Sequence, residues 1–133
     1  MPEISPDLLS RVELFRDLDK RELKEIASSM KERTYEAGRE IVIEGTEGVG
    51  FFVIAGGRAT VTADGREVRT LGPGDYFGEI ALLGEAKRTA TVTAQEPLTC
   101  WALSSWQFRP IVEANGSIAW KLLQAMARML SRR

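Results

Sequence analysis

The sequence predicts a mainly β fold with flanking helices, in which short antiparallel strands close into a roll or barrel. Residues 33–103 carry short β-branched and aromatic runs punctuated by glycine, whereas the segments on either side carry apolar residues at helical spacing. A length of 133 residues, 44% of them hydrophobic, suits one compact domain. We therefore predict a single domain over residues 1–133, with N-terminal helices in 1–32, the roll in 33–103 and C-terminal helices in 104–133.

The first thirty residues predict two short helices, because apolar positions recur there at intervals of three and four. Ser5 followed by Pro6 is typical of a helix start, with an N-cap and a proline at the first helical position. Asp19 and Glu22 have the spacing of a capping box and predict the start of the second helix.

The middle of the chain predicts several short strands joined by tight turns. Asp64-Gly65 is a two-residue hairpin signal between two of them. The candidate strands are Ile41–Glu44, Phe51–Ala55, Ala59–Ala63, Glu67–Leu71, Ala90–Ala94 and Leu98–Leu103.

Helical spacing returns after Leu103. Ser104 with Gln107 has capping-box spacing, and Pro110 is expected to kink or interrupt the helix that follows. Asn115-Gly116 predicts the end of that helix. The final helix carries an apolar stripe of Ile118, Leu122, Ala125, Met126, Met129 and Leu130.

Composition excludes several classes of function. The formal net charge is −1, which argues against nonspecific binding to nucleic acid. The chain has no histidine and a single cysteine, Cys100, so the usual zinc sites, imidazole catalysis and an intrachain disulfide are excluded. No apolar run approaches a membrane span, and the N-terminus is charged where a signal peptide would be apolar. We therefore predict a cytoplasmic protein without a cofactor.

The segment from Gly78 to Gly84 interrupts the strands with a short run of helix formers. A single helical turn behind a glycine presents backbone N–H groups that suit a phosphate oxygen. Arg88 adds a permanent charge with a planar donor fork, and Glu79 can accept a hydrogen bond from a sugar hydroxyl. A cyclic nucleotide combines the two groups that these side chains would bind.

Phe77-Gly78-Glu79-Ile80-Ala81-Leu82 followed by Arg88-Thr89-Ala90-Thr91-Val92 resembles the phosphate-binding cassette of the cyclic-nucleotide-binding domain family. That family includes catabolite activator protein, protein kinase A regulatory subunits and cyclic-nucleotide-gated channels. The resemblance covers nearly the whole chain and places the cassette at 77–92. It implies an eight-stranded antiparallel β-roll, a jelly roll or double-stranded β-helix, that binds cAMP or cGMP as a regulatory sensor and catalyses no reaction.

The resemblance also implies roles for individual residues. Glu79 would accept from the ribose 2′-hydroxyl, Arg88 would pair with the exocyclic phosphate oxygens, and the Thr89 hydroxyl would lie beside the phosphate or the purine. The backbone amides of Gly78, Ile80, Ala81 and Ala90 would be further donors. Alternation along the strands places Val61, Val68 and Leu71 in an apolar wall under the base. The last helix would be a lid, with Met126, Met129 or Arg128 touching the base.

One residue departs from the family pattern, since Lys87 stands where a proline often precedes the arginine.

Thr89 does not decide between cAMP and cGMP, and we favour cAMP because nothing else in the sequence is guanine-specific. We expect an effector domain or protein as partner, and a homodimer through the last helix stays open.

Three alternatives are weighed against the sensor. A roll with an empty pocket would serve only interaction or dimerisation, and Arg88 would then form an ordinary salt bridge with Glu79 or Glu85. The chain could also be the sensor half of a transcription regulator without its DNA-binding domain. A cupin-like enzyme is disfavoured because its metal ligands are commonly histidines.

Overall fold

The computed structural model describes residues 3–48, 50–83 and 86–132. They divide into two compact units. The first, a helical unit, combines Met1–Met30 with Trp106–Arg133, and the second, the β unit, is Lys31–Ser105.

The β unit contains two four-stranded antiparallel sheets and one short two-stranded pair. The strands are β1 Lys31–Tyr35, β2 Glu40–Val42, β3 Glu47–Gly48, β4 Gly50–Gly56, β5 Ala59–Ala63, β6 Arg66–Leu71, β7 Tyr76–Phe77, β8 Ala86–Lys87, β9 Thr91–Ala94 and β10 Leu98–Ser104. One sheet has the order β1-β10-β4-β7, the other has the order β2-β9-β5-β6, and β3 pairs with β8. The two larger sheets confirm the predicted eight-stranded antiparallel roll.

Alternating apolar side chains explain why the longer strands form and where the core lies. Val61 in β5 faces Val92 in β9 across the ladder, and both side chains are buried. The core of the roll consists of Val42, Ile54, Ala59, Val61, Leu71, Phe77, Val92, Ala94, Leu98 and Cys100. Burial of this apolar surface is the main force that holds the roll together.

Four strands were not predicted from the sequence, and each lacks the alternation that would reveal it. The first, β1, is an edge strand in which Lys31, Glu32, Arg33 and Thr34 are all exposed. Charged side chains on such an edge oppose pairing with other chains. The other three, β3, β7 and β8, have two residues each, which is too short for a periodic signal.

Cys100 lies in β10, and burial raises the pKa of its thiol to about 12. The thiolate is the reactive form, so we expect Cys100 to react with an aromatic disulfide reagent only when the roll opens. The rate of labelling should rise together with the unfolded fraction in urea. Rapid labelling of the native protein would contradict the buried position of the thiol.

The described residues form four α-helices, which are α1 Pro6–Leu9, α2 Lys20–Ala27, α3 Ser105–Ala114 and α4 Gly116–Ser131, and all but the first residue of α3 belong to the helical unit. The caps predicted at Ser5 and Asp19 are confirmed. The Ser5 hydroxyl accepts from the Asp7 amide at 3.2 Å. The Asp19 carboxylate accepts from the Glu22 amide at 2.9 Å, and the Glu22 carboxylate accepts from the Asp19 amide at 2.8 Å.

Pro110 does not interrupt its helix, so of the two outcomes predicted, a kink or an interruption, the interruption was wrong. Helix α3 runs without a gap from Ser105 to Ala114. Pro110 follows the start by only five residues, so it removes one hydrogen bond, to the Trp106 carbonyl, in a short helix. The helix ends where predicted, and the Asn115 amide side chain donates to the Ile111 carbonyl at 2.7 Å.

Glu22 is the one buried charged residue in the described parts of the chain. Its carboxylate accepts from the Lys121 ammonium at 2.6 Å and from the Ser117 hydroxyl at 2.7 Å, and thereby joins α2 to α4. Burial raises the pKa of Glu22, but the hydrogen bonds from Lys121, Ser117 and the Asp19 amide outweigh burial and lower the pKa to about 2. Glu22 is therefore ionised at neutral pH.

Helix α4 packs through the apolar stripe predicted for it. Ile118, Leu122 and Ala125 are buried, Met126 and Met129 are half-buried, and Leu130 is exposed. Among the described residues, every helix is too short or too polar to cross a bilayer.

Candidate functional site

The predicted helical turn after the strands is present as a 3₁₀ turn at Glu79–Leu82, preceded by Gly78 in the left-handed region with φ of 84°. A Cβ at Gly78 would lie 2.5 Å from the Gly50 carbonyl oxygen and 2.7 Å from Arg88 Nη1. Both the conformation and the close approach require glycine at this position. The turn therefore starts directly against the guanidinium of Arg88.

The Arg88 side chain is held by the backbone at the end of β3 and the start of β4. Its Nη2 donates to the Gly50 carbonyl at 2.8 Å. A Cβ at Gly48 would lie 2.6 Å from the same nitrogen, so the guanidinium occupies the space above a bare backbone. Because Arg88 has five N–H donors, one bond to Gly50 leaves most of its donor capacity for a bound anion.

The turn between β2 and β3 fixes the backbone of Arg88. The Gly45 amide donates to the Arg88 carbonyl, and the Arg88 amide donates to the Thr46 carbonyl, both at 2.8 Å. Burial lowers the pKa of the guanidinium, but the ordinary value is so high that the group stays charged. These contacts hold the positive charge of Arg88 in place.

The alternative that Arg88 pairs with Glu79 has no support in the described part of the chain, where Arg88 forms no ion pair. Glu79 is half-buried at the first position of the turn, next to the glycine that Arg88 touches. Gly84 and Glu85 lie outside the described residues, which leaves the pairing of Arg88 with Glu85 untested.

The four backbone amides expected to bind the phosphate are not equally available as donors. The Ala81 amide already donates to the Gly78 carbonyl at 3.0 Å, so it is engaged within the turn. In a 3₁₀ turn that begins after Gly78, the amides of Glu79 and Ile80 precede the first internal hydrogen bond. The turn therefore offers the amide of Ile80 more readily than that of Ala81.

Thr89 is exposed and Ala90 is half-buried in the bend that leads into β9. The Thr91 hydroxyl accepts from the Glu44 amide at 2.9 Å, and the Glu44 carboxylate accepts from the Asp64 amide at 3.1 Å. These contacts tie β9 to β2 and to the β5–β6 hairpin. Sequence reasoning missed this link, since nothing local pairs residues so far apart in the chain.

The predicted apolar wall is divided. Val61 and Leu71 are buried in the core of the roll, and the ladder aligns Ala59 with Leu71 and Val61 with Arg69. Val68 is 59% exposed, so its place in a wall with Leu71 was wrong, because residues three positions apart on a strand point to opposite faces. A contact of any of the three with a purine remains a prediction.

The predicted lid residues lie on α4, in the helical unit. Met126 and Met129 are half-buried there, and the Arg128 guanidinium donates to the Asp17 carboxylate. Arg128 therefore already has a partner, whereas the two methionines remain candidates. The described residues hold no group of three or more His, Cys, Asp and Glu side chains placed to bind a metal ion.

Comparison with known proteins places this geometry in a family. The family described as "Cyclic nucleotide-binding domain" matches residues 32–115. A cAMP-dependent protein kinase regulatory subunit from Yarrowia lipolytica is 36% identical over 99 residues, which is 74% of this chain and 26% of that protein. The cGMP-dependent protein kinase egl-4 from Caenorhabditis elegans is 39% identical over 97 residues, which is 68% of this chain and 12% of that protein. The chain thus spans about a quarter of the first relative and about an eighth of the second.

Solved structures agree. The N-terminal domain of a transcriptional regulator from Streptomyces coelicolor A3(2) superposes with a TM-score of 0.85 at 33% identity, covering 95% of this chain and 94% of that one. The structure of cAMP-bound PfPKA-R (141-441) superposes with a TM-score of 0.68 at 31% identity, covering 93% of this chain and 45% of that one. Because the matched family spans the roll and the cassette, this chain belongs to the cyclic nucleotide-binding domain family.

Proposed function

We propose that this chain is a regulatory sensor that binds cAMP, or cGMP, at the cassette and catalyses no reaction on it. The observation that carries the proposal is the Arg88 guanidinium, which is charged, half-buried and placed at the glycine that begins the turn. Such a group suits the exocyclic oxygens of a cyclic phosphate, because a planar donor fork matches two phosphate oxygens.

Glu79 supplies the second half of the recognition. Its carboxylate stands one residue beyond the glycine that Arg88 touches, so one ligand can reach both groups. A carboxylate can accept a hydrogen bond from a ribose 2′-hydroxyl. It also repels a phosphate group, so it favours a nucleotide whose phosphate binds at Arg88 and not at Glu79. Thr89, Ala90 and the Ile80 amide would complete the contacts to the phosphate and the base.

The choice between the two nucleotides is tested by titrating cAMP and cGMP separately into the purified protein and following the heat of binding. One relative is named as a regulatory subunit of a cAMP-dependent kinase and the other as a cGMP-dependent kinase, so the experiment has to compare both nucleotides. We expect saturable binding of one nucleotide per chain, with cAMP preferred. Absence of binding for both would favour the empty roll that serves interaction alone.

The route by which binding is relayed is part of the proposal. We propose that α3 and α4 change their packing when nucleotide binds, with Met126 or Met129 closing over the base. A ligand shifts such an equilibrium only through its different affinity for the two states. The effector that reads the change would be another domain or protein, as expected for a sensor module.

Gly48 offers a separate test of the arginine's position. In Gly48→Ala, the added methyl group would meet three Arg88 side-chain atoms and would displace the guanidinium rather than the backbone. We expect cAMP affinity to fall roughly tenfold, about 1.4 kcal/mol, with little change in the free energy of unfolding. Calorimetry and urea unfolding measure the two quantities.

Gly56→Ala is the matched control, because a Cβ at Gly56 would meet nothing within 4 Å. Unchanged affinity in Gly48→Ala alongside an unchanged control would mean that the position of Arg88 does not matter for binding.

A second candidate function, a homodimerisation module, is favoured by one surface of α4. Trp120, Leu123 and Leu130 are 62%, 57% and 58% exposed, and with Ala127 they repeat at intervals of three and four. The residues flanking this seam, Ala119, Gln124, Met126 and Ser131, carry no charge that would repel an identical helix. We expect light scattering to give twice the monomer mass, and Leu123→Lys to halve it. A monomer mass with and without nucleotide would exclude this candidate.

A further inference from the structure

Acidic residues near the N-terminus form ion pairs with basic residues of α4 and with Arg132 just after it, and the pairs run in opposite directions along the two segments. The Arg132 guanidinium is 2.5 Å from the Glu13 carboxylate, Arg128 bonds to Asp17, and Lys121 is 2.6 Å from Glu22, with Asp19 a further neighbour of Lys121 at 4.0 Å. We name the first two the outer pairs and the third the inner pair. They connect successive turns of α4 to successive parts of the N-terminal segment within the helical unit.

The inner pair is the firm end of this arrangement. The Glu22 side chain is only 10% exposed, and it also accepts from Ser117 and from the Asp19 amide. Separating a buried carboxylate from all these donors would leave a charge without compensation in the core. The first two turns of α4 are therefore fixed to α2.

The outer pairs are the weak end. The side chains of Asp17 and Glu13 are each 32% exposed, and those of Arg128 and Arg132 are 45% and 58% exposed. Water and salt compete with pairs of this kind, so each contributes little and is easily broken. The apolar contacts also thin out in this part of the helix, where Leu130 is 58% exposed.

The ion pairs thus weaken from Lys121 towards the end of α4. From this difference we infer that the outer pairs are an electrostatic latch on the last turns of α4, and that the helix pivots near Lys121 when the latch opens. Movement of the last turns away from the N-terminal segment must break Arg128–Asp17 and Arg132–Glu13 while Lys121–Glu22 stays intact. The inference rests on the proposed function in one respect, since it makes the latch oppose the ligand-linked movement of Met126 and Met129. The latch would then set the resting sensitivity of the sensor.

The experiment compares the double variant Glu13→Gln/Asp17→Asn with the wild type and with Glu113→Gln. The control removes an exposed ion pair, Arg109–Glu113, that lies within α3 and does not hold α4. Hydrogen exchange of the backbone amides is measured without nucleotide. We expect exchange in residues 124–132 to rise at least severalfold in the double variant, with the amides near Lys121 unchanged, and 0.5 M KCl to produce the same pattern in the wild type.

Equal exchange in the double variant and the control would overturn the latch, and so would a uniform increase along the whole of α4. A cAMP titration of the same proteins then tests the link to the ligand, for which we expect affinity to rise about fivefold in the double variant. Faster exchange with unchanged affinity would overturn that link. Failure of the wild type to bind either nucleotide would instead overturn the proposed function, and the exchange data would still decide whether the latch exists.

Discussion

Replacing Arg88 with leucine is expected to weaken cAMP binding roughly 100- to 1,000-fold, which corresponds to about 3 to 4 kcal/mol. The phosphate would still lose its water on entering the site but would find no charged donor in return. The guanidinium is held by Gly50 and stands against Gly48 and Gly78, and a leucine side chain at this position has no group that could donate to the phosphate. Calorimetric titration of cAMP measures the loss directly.

Two controls make this result specific. Arg33→Leu removes an exposed arginine from β1 and should leave affinity unchanged. Urea unfolding of Arg88→Leu should show a folded protein of similar stability, because Arg88 forms no ion pair among the described residues. Wild-type affinity in Arg88→Leu would refute the role of this residue, and with it the site at the cassette.

The fold could be predicted wherever the sequence has a local periodic signal. Ser5 and Asp19 identified the helix starts because capping is decided by residues two or three positions apart. The strands β5 and β10 were found because their apolar residues alternate or cluster. The strand β1 was missed because its partner β10 lies almost seventy residues later in the chain. Its exposed charged residues show no alternation of apolar side chains that would indicate a strand.

The site could be predicted only in part, for the same physical reason. The type and spacing of Glu79 and Arg88 indicated a cyclic nucleotide, yet the contacts that hold Arg88 come from Gly48 and Gly50, which read as ordinary turn glycines. Val68 shows a different error. It lies three positions from the buried Leu71, so period-2 alternation puts the two side chains on opposite faces, and the structure leaves Val68 exposed.

Replacing Glu22 with leucine is expected to lower the free energy of unfolding by about 2 to 3 kcal/mol at pH 7. The variant leaves the Lys121 ammonium and the Ser117 hydroxyl without their acceptor, and it removes the carboxylate half of the capping box at the start of α2. Urea unfolding measures the change. Glu25→Leu, at an exposed position of the same helix, is the matched control and should change stability little.

Adding Lys121→Met to Glu22→Leu separates the two causes of that loss. In Glu22→Leu the Lys121 ammonium keeps only the carboxylate of Asp19, 4.0 Å away. If the loss of its close acceptor dominates, the double variant should recover part of the stability, since an apolar pair can replace a largely buried ion pair at little net loss. If the capping box dominates, the second change should have no effect. Stability below that of Glu22→Leu would mean that Lys121 stabilises α4 through contacts other than Glu22.

The contribution of Glu22 should also depend on pH in a defined direction. Its pKa is lowered from the ordinary 4.5 to about 2 in the folded protein, so the unfolded chain takes up a proton first as the solution is acidified. The stability due to Glu22 is therefore fully present above about pH 4.5 and is lost as pH falls through 2. The difference in unfolding free energy between the wild type and Glu22→Gln should be constant from pH 7 to 5 and shrink below that. A difference that persists unchanged at pH 2 would show that the carboxylate acts through its shape and not through its charge.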